Sequence, residues 1–402
     1  MKKLLSVVLC TAMVSAMIAG CGSAGGDTEK STNAQTEAET AAKEETEAAK
    51  TKEAAGKGDA LNIAIVSSPS GVDDGSFNQD NYNGILAFIE NHSDSKVTPV
   101  KEPTGDVAAA IQAVADIVAD YDVIVCCGFQ FAGIATIAQD NPDVDFILVD
   151  SNPADAEGNE VEVDNIYAMT FAEQESGFFA GMAAALESQS KKVAVVNGIA
   201  YPSNVNYQYG FESGVNYANK KYDTGVEMIE LPSYAGTDVT NADVGGNYIG
   251  SFADEATGKV VGNALIQEGC DIIFVAAGAS GNGVFTAAKE AKDVKVIGCD
   301  VDQYDDGANG DSNIILTSGL KVMSTNVEKQ LEAIAAGTFK GGNELLKADT
   351  DSTGYVKAEG RNQLSADTMS KLDEAYELVK DGTIVPASNF SESTPDSFPG
   401  LE

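Results

Sequence analysis

Leu61-Asn62-Ile63-Ala64-Ile65-Val66 is an apolar, strand-like run, and Ser67-Ser68-Pro69-Ser70-Gly71-Val72-Asp73-Asp74-Gly75-Ser76-Phe77-Asn78-Gln79 leads from it into a helix that runs towards Ile89. The unit recurs along the chain. Further strand-like runs stand at Val123 to Cys127, Phe146 to Val149, Val193 to Val196, Ile272 to Ala276 and Val294 to Cys299. Between them lie amphipathic segments at 107–119, 173–186, 260–268 and 322–335, each long enough to cross over a parallel sheet. The alternation predicts an α/β fold of doubly wound parallel sheets. One series ends near Phe171 and a second follows it, so two lobes are expected, with the cleft at their join. Ligands of open parallel sheets sit beyond the carboxyl ends of the strands, which directs attention to the loops after each run.

Length and charge agree with two lobes and narrow the partners. The part from about residue 59 onward, about 340 residues, exceeds one core of ordinary size. With 62 acidic and 25 basic residues the net charge is -37, which opposes nucleic-acid phosphates and anionic lipid surfaces. Nucleic acid is not an expected partner, and the acidity suits solubility outside the cell.

The first residues have the three-part layout of an export signal: Lys2 and Lys3, an apolar run from Leu4 to Ala19, then Gly20 and Cys21. The run is too short to span a membrane. Ile18-Ala19-Gly20-Cys21 resembles a bacterial lipobox, which makes residues 1–20 a lipoprotein signal and Cys21 the lipid-bearing residue, anchored on the extracytoplasmic face of the cell membrane. From Gly22 to about Gly58 there is no aromatic residue, and Ala, Glu, Thr, Lys and Gly dominate, so residues 21–58 read as a flexible tether.

Catalysis and metal binding find little support. Cys126, Cys127, Cys270 and Cys299 lie in or beside apolar runs and read as small buried hydrophobes, with neither a disulfide framework nor a zinc spacing. His92, the one histidine, falls in Asn91-His92-Ser93-Asp94, a surface turn after a helix, and no serine-histidine triad can be built on it. Asp302-Gln303-Tyr304-Asp305-Asp306-Gly307 places Tyr304 at a ligand position of a calcium loop and is read as a solvated hinge-side loop. No cofactor is expected.

The residues with chemistry to offer cluster at strand ends. Asp74 and Ser76 can cap the helix that follows them, and Phe77 can staple it to the core, or the same stretch can present an aromatic face and the Asn78 amide to the cleft. Asp150 follows Phe146-Ile147-Leu148-Val149, Asp300 and Asp302 follow Val296-Ile297-Gly298-Cys299, and Lys321 follows Ile314-Ile315-Leu316-Thr317-Ser318-Gly319-Leu320. Carboxylates there can accept from vicinal hydroxyls and the lysine can donate, although each can equally cap a helix or pair in a hinge salt bridge. Gly278-Ala279-Ser280-Gly281-Asn282-Gly283 would allow close backbone approach, but its spacing is not that of a dinucleotide fingerprint.

From about Leu61 to Gln330 the chain resembles the basic membrane protein and purine-nucleoside-receptor lipoproteins, the substrate-binding components of ABC transporters. The resemblance is carried by Asp74-Gly75-Ser76-Phe77-Asn78-Gln79, Pro142 to Asp150, Glu173-Gln174-Glu175-Ser176-Gly177-Phe178-Phe179-Ala180-Gly181, Tyr248 to Asp254, Ala276 to Gly281, Ile297 to Gln303 and Thr317 to Lys321. It implies a type I periplasmic-binding-protein fold whose lobes are joined by a hinge crossed three times. The lobes implied are 59–170 with about 314–337 returning to it, and 171–313 with about 338–402 returning to it.

It also implies a ligand, a purine nucleoside passed to an ABC transporter permease. Phe77 and Phe252 would sandwich the base, with Phe211 as the other aromatic that could take the second place. Asn78 and Asp150 would address the base or ribose edge, Asp300 and Lys321 the ribose hydroxyls, and the loop from Gly278 to Gly281 would offer backbone. Asp74 completes the set. A sugar or other small polar solute in the same fold, or a surface sensor or antigen with a vestigial cleft, are the competing functions.

Overall fold

The computed structural model describes residues 58, 60–389 and 391–402. The expected signal, the lipid site at Cys21 and all but the end of the tether lie outside these residues.

The first lobe begins with β1 (Asn62–Ser67), α1 (Phe77–Asn91), β2 (Lys96–Lys101), α2 (Val107–Ile117), β3 (Val123–Cys127), α3 (Ala135–Asp140), β4 (Asp145–Val149) and β5 (Ile166–Phe171). The chain then passes to the second lobe with α4 (Glu173–Glu187), β6 (Lys192–Asn197), α5 (Pro202–Tyr222), β7 (Glu227–Met228), α6 (Glu255–Gln267), β8 (Ile272–Ala276), α7 (Gly281–Glu290), β9 (Lys295–Asp300) and β10 (Ile315–Lys321). It returns to the first lobe for α8 (Ser324–Ala335) and β11 (Gly342–Leu346), and ends in the second with β12 (Thr353–Tyr355) and α9 (Ala366–Lys380).

Each lobe holds one six-stranded sheet. The first has the order β11-β5-β4-β3-β1-β2 and is parallel throughout; the second has the order β12-β10-β9-β8-β6-β7, with β12 alone antiparallel.

β1 shows why an unbroken apolar run makes such a strand. Successive side chains point to opposite faces, so Ile63 and Ile65 pack with Phe88 and Leu331 on one side, while Ala64 and Val66 pack with Val114 and Phe131 on the other. β2, with Pro99 and mostly exposed positions, has the composition of an edge and stands at one. α4 and α5 lie against each other in the second lobe with glycine at the contact. A Cβ at Gly181 would collide with the Phe211 carbonyl, and one at Gly210 with the Gln174 carbonyl, so the two backbones approach as only glycine permits.

The crossings correct the expected boundaries. Ile315–Lys321 pairs with β9 in the second sheet, so the return to the first lobe begins at Val322 and not near 314. It lasts through Leu346, because Gly342–Leu346 pairs with β5, where a limit near 337 was expected. An apolar run shows that it is a strand but not which sheet it joins.

Candidate functional site

A cavity with about 560 Å³ of empty space, its mouth included, opens where the carboxyl ends of the two sheets meet. Asp74, Phe77, Asn78, Asp150, Phe252, Gly278, Asp300 and Lys321 all line it. Gly281 does not: it starts α7, and a Cβ there would stand 2.8 Å from Val275 Cγ1, so this glycine serves helix-on-strand packing. Phe211 is also away from the cavity, fully buried and stacked on Phe274 with centroids 5.9 Å apart.

Asp150 and Asp300 terminate equivalent strands of the two sheets, and both adopt left-handed backbone, with φ of 65° and 68°. Aspartate is one of the few side chains that tolerate this region. Their partners differ. Lys321 Nζ donates to both Asp150 oxygens at 2.8 and 2.7 Å, a bond between lobes with the ammonium 2 % exposed. Asp300 instead accepts two hydroxyls, Ser76 Oγ from the first lobe at 2.7 Å and Tyr207 Oη at 2.8 Å.

Lys321 is enclosed by aromatic faces as well as acids. Its Nζ sits 4.9 Å from the Phe77 ring centroid, 5.5 Å from that of Phe171 and 5.7 Å from that of Tyr207. A second acid, Glu173, lies 3.4 Å away. The carboxylates around Lys321 hold its proton far above the usual lysine range. Burial, with Asp150 adding to it, pushes Glu173 up to about 7, and burial raises Asp150 against the pull of Lys321. One ammonium thus faces two buried carboxyls, of which Glu173 changes charge near neutrality.

Asp74 turns out to organise its own loop. Its oxygens accept from the backbone N–H of Ser76, Asn78 and Gln79, each at 3.1 Å, and from Asn78 Nδ2 at 2.8 Å, so it caps α1 and orients the amide. That orientation matters to the cavity. With Nδ2 committed to Asp74 and also to Ser68 Oγ at 3.0 Å, Asn78 Oδ1 is a buried acceptor with no hydrogen bond within the chain.

Sequence reasoning missed Tyr201, Ser203, Asn204 and Tyr207, all in the cavity wall, and Phe129 of the loop after β3. Tyr201 bridges two rings, with centroids 5.4 Å from Phe129 and 6.0 Å from Phe252. The available signal was the loop after β6: Pro202 at the first position of a helix marks a helix start beyond a strand end, where the other site loops stand.

The comparisons with known proteins agree with this geometry. The family model for ABC transporter substrate-binding proteins of the PnrA-like type matches residues 61–231 and 235–389. Curated relatives include the CD4+ T-cell-stimulating antigen of Listeria monocytogenes, 28% identical with 80% of this chain and 87% of that protein covered. The ABC transporter nucleoside-binding protein BmpA of Lactococcus lactis is 29% identical, with coverage of 70% and 77%. Basic membrane protein A1 of Borrelia garinii is 30% identical, with coverage of 67% and 72%.

Among solved structures, an ABC transporter solute-binding protein from Aeropyrum pernix superposes with a TM-score of 0.68 at 21% identity, covering 82% of this chain and 94% of that one. The fold is therefore the expected type I periplasmic-binding-protein fold, and among the described residues no helix is long and apolar enough to cross a membrane. With a family match over most of its length and a two-lobed cavity to go with it, the chain belongs to the PnrA-like substrate-binding proteins of ABC transporters, a family that takes a small-molecule ligand outside the cytoplasm.

Proposed function

We propose that this protein captures a purine nucleoside by closing its two lobes and delivers it to an ABC importer, held at the cell membrane by a lipid on Cys21. The carrying observation is the division of the cavity wall. Phe77, Phe129, Tyr201 and Phe252 supply ring faces, while Asn78, Asp150, Asp300 and Lys321 supply acceptors and a donor. A flat base recovers stacking and apolar burial from the rings.

Asp300 accepts one hydroxyl on each of its oxygens, at 2.7 and 2.8 Å, and a carboxylate with two acceptor oxygens suits a ribose diol. The unpartnered Asn78 Oδ1 suits an N–H on the base edge. The name of the Lactococcus lactis relative supports the same ligand class. Ligand contacts to both lobes would shift an open to closed equilibrium that the transporter reads.

The test is a thermal-shift and calorimetric titration of the full chain, unfolded and refolded beforehand to strip carried-over ligand, against nucleosides, bases and sugars. Saturable stabilisation by a purine nucleoside, lost in Phe77→Ala and Asp300→Ala, is the expected result. A response to a sugar alone overturns the ligand, and silence across the panel overturns the transport reading. Mass spectrometry of membrane-extracted protein checks for a diacylglyceryl group at Cys21.

A further inference from the structure

Behind Lys321 a line of hydrogen bonds leads out of the site to the far end of the polypeptide. Glu173 is 2 % exposed and stands outside the cavity wall. One of its oxygens accepts from Lys321 Nζ at 3.4 Å and the other from Asn206 Nδ2 at 2.8 Å. Asn206 Oδ1 in turn accepts the backbone N–H of Asn389 at 2.7 Å. Both ends of the Asn206 amide are thus committed, one to the acid and one to the C-terminal segment.

That segment is seated on α5 and α4. Ala387 N–H donates to Ser213 Oγ at 3.3 Å, Asn216 Nδ2 donates to the Pro395 carbonyl at 2.9 Å, and Phe398 is buried edge-on against Phe178 with centroids 6.2 Å apart.

We propose that Glu173 and Asn206 are positioning residues for Lys321, and that the C-terminal segment at Asn389 sets their geometry, so a part of the chain that never reaches the cavity governs how tightly the cavity holds its ligand. This rests on the reading of Lys321 as a ligand-facing group.

The physical reason lies in the lysine itself. Its ammonium is a point charge on a flexible four-carbon stem, with no planar fork to fix its direction. Asp150 holds it from the first lobe and Glu173 from its own lobe. A ligand that draws on Asp150 leaves Glu173 as the acid that keeps the ammonium in place. The titratable groups facing Glu173 are Lys321 from β10, Asp150 just after β4 and Tyr207 from α5, with Asp300 of β9 behind Tyr207. Because burial holds the Glu173 proton on to about pH 7, the link carries a pH signature that a merely structural contact lacks.

The experiment titrates the full chain with guanosine and inosine by calorimetry between pH 5.5 and 8.5, as wild type, Glu173→Gln, Asn206→Asp and Asn389→Pro. Asn206→Asp keeps the acceptor for the Asn389 N–H but sets a second carboxyl against Glu173. It is expected to weaken binding at pH 7 roughly tenfold and to move the pH midpoint of binding upward. Glu173→Gln is expected to flatten the pH profile near neutrality. Asn389→Pro, which deletes the N–H, is expected to weaken binding about threefold; should it fail to fold, Asn206→Asp decides.

Variants that bind as wild type does, with the same pH profile, overturn the proposal however far their thermal stability falls. A wild type that binds a sugar and no nucleoside overturns only the nucleoside reading, and the same variants are then compared with that sugar. A wild type silent to every ligand overturns both.

Discussion

Asp150 and Asp300 occupy matching places, each at the end of a central parallel strand, each with left-handed backbone, each in the wall of one cavity. One is held by a buried ammonium and the other by two neutral hydroxyls. Position on the fold therefore sets where a carboxylate points, while its neighbours set what it costs to keep it there. A charged partner brings the risk of stranding a charge, and a hydroxyl partner risks only a hydrogen bond.

The sharpest way to break the comparison is Lys321→Ala, which leaves Asp150 and Glu173 buried without their cation. The expected loss of unfolding free energy at pH 7 is about 3–5 kcal/mol, read by denaturant titration. A loss no larger than that of a hydroxyl deletion would erase the distinction.

Glu173→Gln sharpens the same side through pH. In the native state Glu173 keeps its proton from its ordinary value near 4.5 up to about 7, a window in which the unfolded chain has already lost it. Its contribution is complete below the lower value and is lost as pH rises through the upper one. The stability of wild type relative to Glu173→Gln should fall by on the order of 3 kcal/mol across that window and stay level above it.

On the Asp300 side the effects are smaller. Tyr207→Phe removes one hydrogen bond to a carboxylate and should cost about 2 kcal/mol. Ser76→Ala removes the other, and about 1 kcal/mol is expected. If Ser76→Ala proves the costlier of the two, the bond between lobes outweighs the one within a lobe.

The aspartates and the lysine were legible because each ends an apolar run, and an interrupted run is a one-dimensional signal. The fold class was legible for the same reason. Glu173 opened a helix-length segment and one of the stretches that carry the resemblance, but no role could be read for it, since a helix start looks the same whether its first side chain meets water or an ammonium from a strand 148 residues away. Tyr201 and Tyr207 were hidden likewise, at a helix end whose direction only the packed sheet fixes. Gly281 misled because a glycine needed for packing against Val275 looks like one needed for a ligand. Phe211 and Phe252 could not be ranked, since both are aromatic and only the assembled lobe turns one inward to Phe274 and the other to the cavity. The C-terminal segment carried no readable pattern because its role is to lie on a surface built by α5 and α4.

The glycine contact between α4 and α5 sets an alignment tolerance for the whole site. α4 begins at Glu173 and α5 carries Tyr207 and Asn206, so the two helices present their site groups at neighbouring ends. With backbone resting on backbone at Gly181 and Gly210 there is no side chain to yield. Gly181 lies eight residues along α4 from Glu173, about 12 Å at the rise of a helix. A methyl group added there would wedge the helices apart and tilt Glu173 from Asn206, detuning the cavity from a place where neither ligand nor solvent arrives.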